Sequence, residues 1–172
     1  MAEDDHVSSG RVSIEELPAD QLAQLAPLWG SLREHHLKVA PDWLPPAYNA
    51  DESWHRRSRQ YRAWLADSDS FVLVARRGAR IVGYAFVHMR SGSPTWPISQ
   101  RAGELETLAV VPEERGRGIG QALLAATSDR LRGAGAREVS LHLLVGNYAA
   151  GRFYEREGFR PFATWLTKPL EH

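Results

Sequence analysis

The chain reads Leu108-Ala-Val-Val-Pro-Glu-Glu-Arg-Gly-Arg-Gly-Ile-Gly-Gln-Ala-Leu-Leu124 at the point where an apolar strand gives way to a helix. Glycine occupies every second position from Gly116 to Gly120, and glycine allows the backbone to approach a ligand closely. The first N–H groups of a helix have no partner inside the helix, and the helix dipole makes them attractive to anions. The stretch therefore predicts a cradle for a phosphate or pyrophosphate, to which Arg115 and Arg117 add positive charge.

Two familiar nucleotide motifs do not fit this turn. A Walker loop requires Gly-Lys followed by Ser or Thr, and no lysine lies near the turn. A dinucleotide fingerprint requires Gly-x-Gly-x-x-Gly, but the last position is Gln121 when counted from Gly116 and Leu123 when counted from Gly118. ATP and NAD bound in these ways are therefore not indicated, and a nucleotide-phosphate binder of another type stays as an alternative.

A second informative stretch lies downstream and reads Asn147-Tyr-Ala-Ala-Gly-Arg-Phe-Tyr-Glu-Arg-Glu-Gly-Phe159. Asn147, Ala150 and Tyr154 stand at positions i, i+3 and i+7, which places them on one face of a helix. Asparagine also suits the N-cap of such a helix. Acyl transfer from a thioester expels a thiolate, and a phenol within reach can protonate that thiolate as it leaves.

The two stretches together resemble motifs A and B of the GNAT superfamily of acetyltransferases. The first matches as Arg115-x-x-Gly118-x-Gly120, and the second matches as Asn-x-x-Ala, then Phe-Tyr, then Gly-Phe, in the same order and at the same separation. The resemblance covers roughly residues 71–166. It implies an N-acetyltransferase that uses acetyl-CoA as its co-substrate.

The resemblance also implies where coenzyme A binds. Backbone amides of the turn would bind its pyrophosphate, and the pantetheine arm would run beside the preceding strand, whose amides near Leu108 would polarise the thioester carbonyl. The implied cofactor-binding residues are Leu108, Ala109, Val110, Arg115, Gly116, Arg117, Gly118, Ile119, Gly120, Gln121 and Asn147.

The catalytic groups follow from the same resemblance and from the chemistry of the reaction. An attacking ammonium must lose a proton and the departing thiolate must gain one. Tyr154 is the implied general acid, and the implied base is a glutamate on the strand before the turn, for which Glu106 is preferred because of its central position. Glu104, His142 and a water chain are the alternatives. Since the chain has no cysteine and no Gly-x-Ser-x-Gly pattern, direct attack in a ternary complex is expected.

The position of the two glutamates leads to a further expectation. Side chains alternate along a strand, so Glu104 and Glu106 should share a face with Leu108 and Val110. Glu104 is expected in solvent at the beginning of the strand. His142 is expected on the parallel neighbouring strand.

The periodicity of the chain predicts an α/β fold of mixed (α+β) sheet type, with a GNAT-like central sheet and helices on both faces. The strand, helix and strand around the glycine turn should form a parallel βαβ unit, and Gly78 should close an antiparallel hairpin. The predicted strands are Val12–Leu17, Phe71–Ala75, Ile81–Val87, Glu104–Val111, Val139–Val145 and Phe159–Leu166, and the predicted helices run from Asp20 to Leu32, Asp51 to Ala66, Ile119 to Leu131 and Tyr148 to Arg156.

Length and composition indicate one ordinary globular domain. The 172 residues suit a single domain at 11–169, and we expect a flexible tail at 1–10 and a tag remnant at 170–172. The 21 basic and 21 acidic residues cancel, so neither nucleic acid nor a membrane surface is an expected partner. The absence of cysteine and the acidic N-terminus favour the cytoplasm.

The acceptor side is expected within the segment from about Leu28 to Trp64. Aromatic walls with a few carboxylates would suit a small-molecule amine or a protein amine. The chain does not choose between acetyl and another short acyl donor, a non-catalytic acyl-CoA sensor is the alternative function, and a homodimer stays open. No metal is expected, because adjacent histidines on a helix face about 100° apart. The candidate acceptor residues are His35, His36, Asp42, Trp43, Tyr48, Asp51, Glu52, Trp54 and His55.

Overall fold

The computed structural model describes residues 11–67, 69–96 and 101–170, so the predicted tail at 1–10 and the last two residues lie outside it. Within these ranges five strands form one sheet in the order β1-β2-β3-β4-β5, accompanied by four α-helices. The strands are β1 (Val12–Glu16), β2 (Phe71–Arg77), β3 (Arg80–Ser91), β4 (Arg101–Val110) and β5 (Val139–Ser140). The α-helices are α1 (Ala26–Val39), α2 (Ala50–Trp64), α3 (Ile119–Gly133) and α4 (Tyr148–Arg156).

The sheet is mixed, as the sequence predicts. Strands β1 to β4 pair with one another in antiparallel fashion, and β2 and β3 form the hairpin expected around Gly78. Strand β5 pairs with β4 in parallel, which confirms the βαβ unit around the glycine turn. No helix in the described ranges combines the length and the apolar character needed to cross a bilayer.

Helices cover both faces of the sheet, again as predicted. On one face α3 packs its leucines against the apolar residues of the central strands, and Phe153 and Tyr154 of α4 join that cluster. On the other face α1 and α2 form a second core. Its centre is Tyr61, whose ring stacks on Phe86 at 3.8 Å between centroids and 9° between planes. The two cores hold β4 rigidly between the two helical layers.

The first predicted helix differs in detail from the observed structure. Residues Ala19–Leu25 form a 3-10 helix, and the α-helix begins only at Ala26. Pro27 explains the break, because proline lacks the N–H for an i−4 hydrogen bond and its ring clashes with a preceding helical turn. Proline is tolerated in the first turn, which is where α1 carries it.

The predictions for the C-terminal strands are wrong. Strand β5 contains only two residues instead of Val139–Val145, and residues 159–170 contain neither helix nor strand. An alternating pattern selects an extended backbone, but a strand also needs a neighbouring edge with which to pair. Here β5 is paired with β4 over two residues only, so it offers little edge to a following segment. Phe162 and Trp165 are consequently exposed.

Candidate active site

The sheet opens between β4 and β5. The parallel pairing consists of Gly103 with Val139 and Glu104 with Ser140, and it stops there. Beyond this point, the edge of β4 from residue 105 to 110 has no strand partner within the described ranges. The backbone groups of such an edge can pair with an extended ligand. The opening leads from the middle of β4 to the turn before α3.

Two glycines of the turn before α3 have a backbone conformation that was not predicted from the sequence. Gly116 and Gly118 have φ values of 74° and 79°, in the left-handed region that favours glycine. Gly118 is also the N-cap of α3. A Cβ added at either glycine would meet no atom within 4 Å, so the requirement is conformational and the space beside the turn is open. Within the described part of the chain, the backbone N–H groups of residues 116–121 have no backbone acceptor.

The arginine side chains of the turn form hydrogen bonds and ion pairs within the protein. Arg115 donates from Nε to the carbonyl oxygen of Val110 at 3.0 Å, which fastens the turn to the end of β4. Glu114 is buried and receives a two-pronged contact from Arg77, at 3.0 and 2.9 Å, which holds the pKa of its carboxyl below the ordinary value. Arg117 reaches the same carboxylate at 3.3 Å. The backbone N–H groups of the turn are therefore more available to a ligand than its arginine side chains are.

Gly120 serves the packing of two helices. It lies in the first turn of α3, and a Cβ there would lie 3.4 Å from the Phe153 ring and 4.0 Å from Val110. A larger side chain would push α4 away from α3. The side chain of Ile119 is buried in the core, so only its backbone is available to a ligand. Gln121 is exposed, 3.5 Å from Glu157.

Asn147 caps α4, as the sequence predicts. Its Oδ1 accepts a hydrogen bond from the N–H of Ala150 at 3.4 Å and lies 3.3 Å from Nε2 of His35. The preceding Gly146 lies so close to the carbonyl of Val39 that a Cβ could not be accommodated. The N-terminus of α4 is thus in direct contact with the C-terminal half of α1.

Tyr154 lies on α4 between two other aromatic rings, those of Phe153 at 5.2 Å and Phe159 at 5.4 Å. Burial raises the pKa of its phenol to about 12. Its hydroxyl has no hydrogen-bond partner among the residues that the structure describes, and it is not one of the sealed polar atoms. The phenol therefore keeps its proton at neutral pH and can offer it to a ligand.

A β-bulge determines the direction of Glu106. Phe86 pairs with Thr107 and Val87 pairs with Leu105, so Glu106 is the additional residue on β4. Thr107 Oγ1 lies 2.6 Å from the Tyr61 hydroxyl, and Glu106 forms an ion pair with an arginine of the same helix, α2. Two consecutive side chains therefore point to the α2 face.

This bulge overturns the prediction that Glu106 shares a face with Leu108 and Val110. Those two residues pack on the α3 side of the sheet, whereas Glu106 lies on the α2 side. The alternation of strand side chains has a period of two, and one inserted residue shifts it. Glu106 and the backbone of residues 108–110 nevertheless remain within a few residues along one strand.

The second glutamate is not in solvent, contrary to the prediction. The side chain of Glu104 is 14% exposed and that of Glu106 is 20% exposed, so burial does not separate the two candidates for the base. Glu104 lies 2.8 Å from Nδ1 of His142 and 3.6 Å from Arg90. His142 follows β5 instead of belonging to it, and its side chain is largely exposed.

His88 completes a cluster with the two glutamates. Its ring stacks on Trp64 at 4.1 Å and its Nε2 lies 3.9 Å from Glu106. One ligand atom from each of His88, Glu104 and Glu106 lies within 4.8 Å of the others, a spacing that could surround a cation. Both carboxylates already have partners, and the expectation that no metal is needed remains a prediction.

The acceptor-side residues predicted from the sequence are scattered. Trp54 belongs to the α2 core, where it meets Tyr61 at 6.4 Å, and Glu52 pairs with Arg56. His36 is half-buried, and burial together with His35 and an arginine of α2 lowers its pKa. The exposed members are Asp42, Trp43, Tyr48, Asp51 and His55.

The candidate acceptor residues predicted from the sequence do not include three residues on this side of the sheet, namely Arg57, Trp29 and Arg33. Arg57 forms the ion pair with Glu106, and its guanidinium lies 4.8 Å from the ring centroid of Trp29. Arg33 follows Trp29 by one turn of α1. A signal for Arg57 did exist in the sequence: it lies on the apolar stripe of α2, three residues after Trp54 and four before Tyr61. A charged residue inside such a stripe needs a buried partner.

Comparisons with known proteins agree on one family. The sequence model of the acetyltransferase (GNAT) family matches residues 32–159. A mycothiol acetyltransferase from Thermobispora bispora is 38% identical over 105 residues, which cover 60% of this chain and 34% of that protein. An aminoalkylphosphonate N-acetyltransferase from Salmonella typhimurium is 33% identical over 112 residues, which cover 64% of this chain and 70% of that protein. The chain thus spans about a third of the length of the mycothiol acetyltransferase.

Solved structures show the same fold. A GCN5-related N-acetyltransferase from Ralstonia eutropha superposes with a TM-score of 0.73 at 21% identity, covering 93% of this chain and 99% of the other. A predicted acetyltransferase from Clostridium acetobutylicum, solved with acetyl-CoA, superposes with a TM-score of 0.72 at 16% identity, covering 92% and 96%. At these identities the likeness concerns the fold alone.

Proposed function

Because the chain belongs to the acetyltransferase (GNAT) family, we propose that it transfers an acetyl group from acetyl-CoA to the primary amine of a small molecule. One observation carries the proposal: the row of amides at residues 116–121 without backbone acceptors lies at the end of an unpaired β4 edge, with Tyr154 on the adjacent helix. A pyrophosphate and an amide-containing arm would satisfy both sets of backbone groups at once. The small-amine acceptor agrees with the names of two relatives, a mycothiol acetyltransferase and an aminoalkylphosphonate N-acetyltransferase.

Coenzyme A would be bound mostly by backbone. The amides of Gly116 to Gln121 would hold the pyrophosphate, and residues 108–110 would pair with the pantetheine arm along the open edge. Asn147, whose oxygen caps α4, would keep its amide nitrogen for the same arm. The amide of a β4 residue would polarise the thioester carbonyl.

The reaction would proceed by direct attack. The neutral amine adds to the thioester carbonyl carbon, the tetrahedral adduct collapses, and the carbon–sulfur bond breaks to release coenzyme A as a thiolate. Before the attack the substrate ammonium gives one proton to a carboxylate, which releases it to solvent. As the adduct collapses, its nitrogen loses a second proton to solvent, and the thiolate gains one from Tyr154, which takes a proton from solvent in turn. The chain contains no cysteine that could carry the acyl group between the two substrates.

The raised pKa of Tyr154 defines how it would act. A simple thiol has a pKa near ~8.5, whereas burial raises the pKa of Tyr154 to about 12. Complete proton transfer to an isolated thiolate is therefore unfavourable by roughly 5 kcal/mol. Tyr154 would stabilise the developing charge by a short hydrogen bond and release its proton as the carbon–sulfur bond breaks.

Glu106 is the proposed base, either directly or through a water. Its ion pair with Arg57 holds the carboxylate on the α2 side of the sheet. Glu104, which contacts His142, is the second candidate. Replacing each glutamate separately by glutamine decides between them, because only the base should remove the acidic limb of the pH profile of kcat/KM.

Calorimetric titration with acetyl-CoA is the primary test, followed by an amine screen with a free-thiol readout. We expect binding and thiol release that depends on an amine. Absence of binding at millimolar acetyl-CoA would contradict the proposal. Binding without turnover on any amine would favour the alternative of a non-catalytic acyl-CoA sensor. A preference for a longer acyl thioester would identify a donor other than acetyl-CoA. Displacement of CoA by ATP would favour a nucleotide-binding site. The cytoplasmic location and a homodimeric state remain predictions.

A further inference from the structure

We infer that the amine acceptor carries an acidic group, a carboxylate or a phosphonate, and that Arg57 binds this group beside Glu106. The inference rests on the proposed function, since it names the class of acceptor that the same site would take. Arg57 is the residue whose surroundings point to an anion, and Glu106 is the residue to which the amine would come.

Arg57 is held in place by its neighbours, and two of its N–H groups have no acceptor among the described residues. Its guanidinium lies between the rings of Trp29, at 4.8 Å, and Tyr61, at 5.6 Å, and its side chain is 23% exposed. Nη1 contacts Glu106. Within the described part of the chain Nε and Nη2 have no acceptor, and neither is sealed from solvent. These two groups form the edge of the guanidinium that fits two oxygens of an acid.

The neighbouring helix offers two more donors without acceptors. Nε1 of Trp29 and Nε of Arg33 are both fully buried and have no hydrogen-bond partner among the described residues. The two residues are four apart on α1, so they lie on the same face of that helix. A buried donor without an acceptor typically costs ~1–3 kcal/mol. A ligand that brings acceptor oxygens would remove this cost.

Arg33 also contacts the irregular segment that precedes α2. The segment 41–49 contains neither helix nor strand, and the carbonyl of Tyr48 accepts a hydrogen bond from Nη2 of Arg33. The ring of Tyr48 also contacts the guanidinium of Arg56, at 4.1 Å from its centroid. A ligand that reached the buried donors of α1 would have to displace this segment.

The charges around Arg57 favour an acid that is joined to an amine. Burial is the main cause of the lowered pKa of His36, and the positive charges of His35 and Arg57 lower it further, so Arg57 acts on its neighbours as a cation. Glu106 provides the adjacent negative charge. Since Arg57 and Glu106 are in contact, the acid and the amine of the acceptor should be separated by a short aliphatic spacer.

The acidic group would also position the acceptor. Because Arg57 and Glu106 are in contact, an acid bound to Nε and Nη2 would hold the amine of the same molecule beside Glu106. An amine without the acid would lose these hydrogen bonds and would bind less well.

The test compares matched amines on the protein and three variants. The pair is 2-aminoethylphosphonate and propylamine, with acetyl-CoA as donor and kcat/KM as the readout. We expect the wild type to prefer the phosphonate by about 100-fold, from two charge-assisted hydrogen bonds. Arg57→Met should reduce this preference to near unity, Arg57→Lys should keep part of it, and Arg59→Met should keep all of it. Arg59 is an exposed arginine of the same helix and serves as the control.

Calorimetric binding of 2-aminoethylphosphonate to the CoA-loaded protein provides a second readout. Loss of that binding in Arg57→Met, with retained acetyl-CoA affinity and melting temperature, supports the inference even if no amine is acetylated, and in that case only the proposed function fails. Equal kcat/KM for the two amines in the wild type, or unchanged preference and binding in Arg57→Met, would overturn the inference while leaving amine acetylation intact.

Discussion

The proposed donor side, where acetyl-CoA would bind, and the proposed acceptor side, where the amine would bind, consist of different kinds of groups. The donor side consists of backbone: the open edge of β4, the left-handed glycines 116 and 118, and amides that await an acceptor. The acceptor side consists of side chains that α1, α2 and β4 bring together, above all Arg57 and Glu106. A backbone site tolerates few changes of sequence, whereas a side-chain site can change its ligand by one substitution. The experiments below separate the two sides.

The largest effect is expected at Gly118, on the donor side. Valine at this positive φ should strain the turn and rotate its amides, so acetyl-CoA affinity should fall by about 100-fold or more, measured by calorimetry. Gly135→Val is the matched control, because Gly135 has a φ of 78° and similarly open surroundings at the other end of α3. Both variants should lose ~1–3 kcal/mol of stability. Equal loss of affinity in both variants would show that strain, and not the cradle, is responsible.

Tyr154→Phe should separate catalysis from binding. We expect kcat to fall by about 100-fold, because the variant cannot donate to the thiolate, while acetyl-CoA affinity stays within about twofold. Since the pKa of Tyr154 is about 12, loss of its proton should not reduce the wild-type rate below about pH 10. Tyr148→Phe, at the exposed first residue of the same helix, is the control. An unchanged rate in Tyr154→Phe at all pH values would rule out the acid role.

Glu106→Gln should act on the acceptor side alone. The value of kcat/KM should fall by about tenfold to 100-fold, and its pH profile should lose the acidic limb. The affinity for acetyl-CoA should persist. Glu104→Gln is the comparison, because that residue is equally buried and lies on the same face. A larger loss in Glu104→Gln would transfer the role of base to the Glu104–His142 pair.

The smallest effect concerns stability at His36. Its pKa is lowered in the folded protein by burial first, then by His35 and Arg57. Below the unfolded pKa of roughly 6.5, the unfolded chain binds a proton that the folded chain resists, so stability should fall as the pH decreases from there. Replacement of His36 by glutamine should reduce this slope in urea unfolding at pH 5 to 7. An unchanged slope in His36→Gln would contradict the assignment.

The donor side could be predicted from the sequence because its rules are local. The turn that opens α3, the cap at Asn147 and the hairpin around Gly78 each depend on a few neighbouring residues, and the structure has all of them as expected. The role of these residues in binding coenzyme A is still a prediction. The open edge of β4 was harder to predict from the sequence, because it depends on where β5 stops pairing with β4.

The acceptor side could not be predicted in the same way, since its contacts join distant parts of the chain. Arg57 and Glu106 are 49 positions apart, and nothing local to either residue specifies the other. The predicted candidates Trp43 and Tyr48 are exposed, while Trp29, which contacts Arg57, is not among the predicted residues. The face of Glu106 was predicted wrongly because a bulge leaves no clear mark in the sequence.

The bulge on β4 also has a consequence for how this protein could be altered. The extra residue at Glu106 lies next to the point where the pairing with β5 ends, so one added amino acid determines both the side on which the carboxylate lies and the local bend of the strand. The number of residues in this part of β4 then constrains the site more strictly than the identity of those residues does. Deletion of Leu105 would remove the extra residue and turn Glu106 away from α2, while Glu104 and Thr107 would keep their face, a change that no substitution at those positions could reproduce.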